Sequence, residues 1–67
     1  MDKKQALDSL LDRAFIAGLP LYRLCELAGS RPQIMTRWRK NPGSMRAATF
    51  KRMSDAMTAY EKEIEND

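Results

Sequence analysis

LYRLCELAGSRPQIMTRWRK, the stretch from Leu21 to Lys40, reads as two short helices pinched around Ala28-Gly29-Ser30. Leu21, Leu24 and Leu27 fall on one face with Cys25 beside them, at the three- and four-residue spacing of a buried helical stripe. Gly29 stops that helix, because a residue without Cβ meets no obstacle in the left-handed backbone a helix end prefers. Pro32 suits the first turn of the next helix, where its missing N–H leaves nothing unsatisfied. The second helix is expected from Arg31 or Pro32 to Arg39 or Lys40, with Met35 and Trp38 inward. Arg31, Gln33, Thr36, Arg37 and Lys40 fall on another side, as types suited to phosphates or base edges. Two helices joined by a glycine turn, the second cationic, have the form with which proteins enter a DNA major groove.

On the N-terminal side, Asp2 or Lys3 to Ala17 is predicted to be a helix. Ala6, Leu7, Leu10, Leu11, Ala14, Phe15 and Ala17 make its inner stripe, and Asp8, Asp12 and Arg13 lie outside it. Gly18 ends it, and Leu19-Pro20 turns the chain. On the C-terminal side, Asn41-Pro42-Gly43-Ser44 is the clearest loop. A last helix is expected over about residues 45–65, capped by Ser44 or, with a later start, by Thr49. Phe50, Met53, Met57, Tyr60 and Ile64 form its stripe, with Ala56 alongside. That helix outlasts what a core this small needs, so its last two turns are expected to pack on something else or to fray. The fold expected is all-α, one domain over residues 1–67 with four helices, or five if the last one breaks.

Composition narrows the function. With 67 residues, one cysteine and no histidine, the chain offers no internal disulfide, no zinc finger and no His-based catalysis. No metal, cofactor or small-molecule ligand is expected, and no enzymatic activity. No apolar run approaches the ~18 residues of a membrane span, and Met-Asp-Lys-Lys-Gln lacks a signal-peptide stretch, so a cytoplasmic protein is expected. The net charge of +3 hides an asymmetry: residues 1–19 are neutral, residues 20–53 carry +7 and residues 54–67 carry −4. A basic middle on a nearly neutral chain is the footprint of a polyanion partner met on one face.

The run Ala-Gly-Ser-Arg-Pro-Gln-Ile-Met-Thr-Arg-Trp, residues 28–38, resembles the turn and recognition helix of the lambda-repressor-like family, which includes Cro and the phage repressors. Thr49 to Met57 resembles that family's next helix, and the resemblance covers about residues 5–58. Three positions depart from it: Ser30 stands where an apolar residue plugs the turn, Ile34 is apolar on a partly exposed face, and Pro20 replaces a capping Ser or Thr.

The resemblance implies a compact helix-turn-helix domain that binds double-stranded DNA as a homodimer. It implies base reading by Arg31, Gln33, Thr36, Arg37 and Lys40, with Pro32 beside a thymine methyl. Arg37 and Gln33 stand foremost, since Arg grips guanine and Gln adenine bidentately. Tyr22 and Arg23 open the first helix of the pair, whose free N–H groups and dipole favour phosphate. Asn41, Ser44, Arg46, Lys51 and Arg52 follow the recognition helix as further backbone contacts, Asn41 and Arg46 ahead of Lys51 and Arg52. Met57, Tyr60 and Ile64 are the expected dimer interface.

Blander roles suit several conspicuous residues. Trp38 belongs in the core at its spacing, and Cys25 is a small hydrophobe where two helices cross closely. Asp8 and Asp12 make a solvated carboxylate pair. The function expected is a phage- or prophage-type transcriptional regulator, a repressor bound to an inverted-repeat operator. The alternatives are a protein-interaction module such as an antitoxin, antirepressor or phage-encoded inhibitor, and an excisionase-like or packaging DNA binder.

Overall fold

The computed structural model describes residues 2–65, and each helix boundary follows from a few local bonds. Helix α1 (Lys3–Ala17) starts from a reciprocal cap, in which Asp2 accepts the Gln5 N–H at 2.7 Å and Gln5 accepts the Asp2 N–H at 3.3 Å. It stops at Gly18, whose φ of +72° turns the chain back on itself. The Gly18 N–H then reaches the Phe15 carbonyl at 3.1 Å, and the Leu19 N–H reaches that of Ala14 at 2.9 Å.

Helix α2 (Leu21–Leu27) ends the same way. Gly29 takes φ +73°, its N–H bonds the Glu26 carbonyl at 3.0 Å, and the Ser30 N–H bonds that of Cys25 at 2.8 Å. Helix α3 (Gln33–Lys40) follows, then a single 3-10 turn over Pro42–Ser44 and helix α4 (Ala47–Glu65). Among the described residues there is no strand, and no helix is long and apolar enough to cross a membrane.

The long helices α1 and α4 pack on each other and on α2, and α3 packs on α2 and the 3-10 turn. Leu7, Leu10 and Ala14 of α1 meet Leu24 and Cys25 of α2, Met35 and Trp38 of α3, and Met53 and Met57 of α4, all buried. Burying one such side chain stabilises a fold by roughly 1.5–3 kcal/mol, so these few carry most of the gain. Arg13 bridges α1 to the far end of α4. Its Nε donates to Glu61 at 3.2 Å, and a second guanidinium nitrogen donates to the other carboxylate oxygen and to Thr58. That two-pronged contact ties the end of α4, helical through Glu65, to α1.

Several expectations need correction. Helix α4 neither breaks nor begins at 45: it starts at Ala47, with the Phe50 N–H bonded to the Arg46 carbonyl at 2.9 Å. Neither Ser44 nor Thr49 caps it; the Ser44 hydroxyl donates to the Asn41 carbonyl at 2.7 Å instead. Phe15 is 85% exposed, because the stripe that meets the core is Leu7, Leu10 and Ala14, and Phe15 lies past its edge. Leu27 is likewise exposed, while Leu19, read only as a turn residue, and Met45, placed at the head of the last helix but outside its inner stripe, are buried. Met57 has no exposed surface and so offers a second subunit nothing.

Candidate nucleic-acid interface

Helix α3 divides its side chains cleanly. Met35 and Trp38 are buried, and Trp38 meets Phe50 of α4 with ring centroids 6.2 Å apart. That anchor sets the roll of the helix. Gln33, Thr36, Arg37 and Lys40, at successive three- and four-residue steps, are all exposed on one side. Arg31 and Pro32, just ahead of the helix, are exposed as well. Arg39 sits two residues from Arg37, about 200° round the helix, and faces elsewhere.

A shallow concavity lies beside the turn, lined by Gly29, Ser30, Arg31, Gln33, Ile34 and Arg37, and closed by Arg52 of α4. Among the described residues it gathers three guanidinium groups and no carboxylate. Ile34, half-buried, gives it an apolar floor. Gly29 has open space where a Cβ would stand, so its requirement is purely the positive φ that aims α3.

Carboxylates divide the basic residues. Among the described residues the ion pairs are Arg13 with Glu61, Arg23 with Glu26 at 3.1 Å, and Lys51 with Asp55 at 2.9 Å. Arg31, Arg37, Lys40, Arg46 and Arg52 appear in none of them. Arg23 and Lys51, both proposed phosphate contacts, are thus partly neutralised on their own helices. Each such exposed pair contributes only about 0.3–0.5 kcal/mol, so a phosphate competes for either cation.

The remaining candidates are scattered. Tyr22 is 58% exposed, but two of the N–H groups at its helix start, those of Arg23 and Leu24, already bond the Pro20 carbonyl. With seven residues, α2 has little dipole to add. Asn41 turns its side-chain oxygen onto the Gly43 N–H at 3.2 Å, leaving its amide donors outward. Ser44 is half-buried in the same turn. Arg46 lies away from the Arg37 cluster, in a depression it shares with Asp2, Lys3 and Phe50.

Arg52 therefore ranks above its sequence-based placing, since it alone from α4 joins the concavity. Its signal was available: Arg52 follows Phe50, which packs on the back of α3, by two residues. Cys25 is wholly buried at the α2–α3 crossing, and burial pushes its thiol above the usual range against a smaller pull from the Met35 backbone. Such a thiol is inert. Among the described residues no group of three potential ligands is placed to hold a metal ion. Compared with protein-family models, with curated proteins and with solved structures, the chain matches none.

Proposed function

We propose that this chain is a sequence-specific DNA-binding regulator of the lambda-repressor-like kind, with α3 as its recognition helix. The observation that carries the reading is the carboxylate-free cluster of Arg31, Arg37 and Arg52 around Gln33, on the face of α3 opposite its buried Met35 and Trp38. Arg37 and Gln33 read base edges, with Arg31, Pro32, Thr36 and Lys40 around them. Arg52, Arg46 and the Asn41 amide hold backbone phosphates, with Tyr22, Arg23, Ser44 and Lys51 at the margin. Ile34 places a methyl-sized apolar contact among the cations.

The protein acts as a homodimer on an inverted repeat, two α3 helices about 34 Å apart reaching successive major grooves. Ile64, 42% exposed, and half-buried Tyr60 supply the second subunit's contact, together with Ile16 and Ala17 of α1, which share a depression with Ile64. Bound there, a dimer represses by excluding polymerase from the operator. Selection of bound sequences from random duplex DNA tests the reading. A palindromic consensus and a steep fall of affinity with salt are expected; no enriched sequence, or a flat salt response, overturns it.

A further inference from the structure

A second surface, sharing no residue with the arginine concavity, lies along α1. An open groove is lined by Leu11 and Phe15 of α1, Leu19 and Pro20 of the turn after it and Leu21 of α2, with Arg39 reaching it from α3. Asp8 and Asp12 stand on the α1 rim, and Arg39 on the α3 rim. Phe15 is 85% exposed there, the most exposed large hydrophobic residue of the described chain. With half-buried Leu11 and Leu21 it forms contiguous apolar surface, the form in which exposed apolar groups mark an interaction site.

We propose that this groove docks an amphipathic helix of another protein, one that presents apolar anchors to Phe15 with a lysine or arginine on one flank and a carboxylate on the other. The charges specify that chemistry. Asp8 and Asp12 are exposed, one helical turn apart, and appear in no ion pair among the described residues; nor does Arg39. A helix seated along Phe15 brings its cationic flank to the two aspartates and its acidic flank to Arg39. From Asp8 to Phe15 the rim is about 10 Å long, room for two turns of a docked helix.

A second copy of this chain fits less well, an argument that rests on the DNA reading above. A two-fold axis in the groove lies beside α3, since Arg39 forms its rim. Helices packed side by side are about 8–10 Å apart. The two recognition helices would then stand one to two such spacings apart, roughly 10–20 Å, short of the ~34 Å between successive major grooves. A heterologous helix has no such conflict. Because Arg39 lies about 200° round α3 from Arg37, it leaves Arg37 and Gln33 open.

The test is selection of displayed random 16-residue peptides on the purified full chain without DNA. Enriched peptides are expected to carry Leu, Ile or Phe at helical three- and four-residue spacing with flanking Lys or Arg. They should bind Phe15→Ser at least tenfold more weakly than wild type, and Asp8→Asn/Asp12→Asn more weakly in low salt. Both variants alter exposed side chains and should keep the wild-type circular dichroism and DNA affinity. Peptides that lack this pattern, or that bind Phe15→Ser as tightly as wild type, overturn the proposal. So does a wild-type dimer in sedimentation equilibrium that Phe15→Ser dissociates, which would give the groove to a second copy. The peptide measurement contains no DNA, so it stands or falls separately from the DNA reading.

Discussion

Trp38 and Phe50 meet with their rings tilted 49° and their centroids 6.2 Å apart, across the junction of α3 and α4. Trp38 is also among the largest fully buried side chains. One contact thus fixes the roll of the cationic helix and ties it to the helix that supplies Arg52.

Replacing Trp38 with Ala should cost about 3–5 kcal/mol, close to the whole stability of a domain this size. Urea unfolding followed by circular dichroism is expected to find Trp38→Ala largely unfolded in buffer, and Trp38→Phe folded with a lower midpoint. A Trp38→Ala protein with the wild-type midpoint would contradict the buried placement.

Arg37→Ala is expected to weaken binding to the selected operator by roughly 1–3 kcal/mol with the fold unchanged. Arg39→Ala, on the other side of α3, should bind as wild type does. Fluorescence anisotropy on a labelled duplex separates the two, and equal losses would mean that α3 meets DNA with a different face.

Arg52→Ala and Arg46→Ala should each lower affinity for all duplex sequences alike and flatten the log–log salt slope by about one unit. Smaller changes are expected for Lys51→Ala and Arg23→Ala, whose cations are already partnered by Asp55 and Glu26. A slope unchanged in Arg52→Ala would take Arg52 off the phosphate path.

The bond from Arg13 holds the Glu61 carboxyl below the ordinary glutamate range, outweighing slight desolvation. A depressed folded-state pKa adds stability at neutral pH, and the gain disappears as pH falls through that lowered value. Melting temperatures of wild type and Glu61→Gln should therefore differ at pH 7 and converge in acid below the usual glutamate range. A difference that stays constant across that window would assign the effect to packing.

Gly29→Ala should destabilise the domain by about 1–2 kcal/mol, the cost of a left-handed backbone at a residue with Cβ. Open space around that Cβ position leaves no steric clash to add. Gly18→Ala, in the same conformation with equally open surroundings, should cost the same in thermal melts.

Much of this architecture was legible in the chain. Gly18 and Gly29 marked the ends of α1 and α2, and the three-residue step from Met35 to Trp38 marked the hidden side of α3. What escaped was local in origin. Met45 stands five residues before Phe50 across the start of α4, the spacing of a hydrophobic pair straddling a helix N-terminus, and so joins Phe50, already in the expected stripe, at the core. Leu19, directly after Gly18, occupies the position where a residue folds back on the finished helix. Phe15 misled because periodicity gives the direction of a stripe, while the width of the neighbouring helices decides how much of it is covered. The partnering of Arg23 and Lys51 depends on side-chain rotamers that spacing alone leaves open.

Four of the five methionines, Met35, Met45, Met53 and Met57, lie in the interior, between 0 and 4% exposed. Thioethers are flexible and fill irregular gaps, which suits a core assembled from short helices. They are also the atoms of this interior most open to peroxide, and a sulfoxide is too polar to return to it. While the domain stays closed its sulfurs are screened; each opening exposes them to irreversible trapping in the absence of a reductase. Oxidant damage to this protein thus keeps time with its unfolding, and whatever holds it closed would also be its antioxidant.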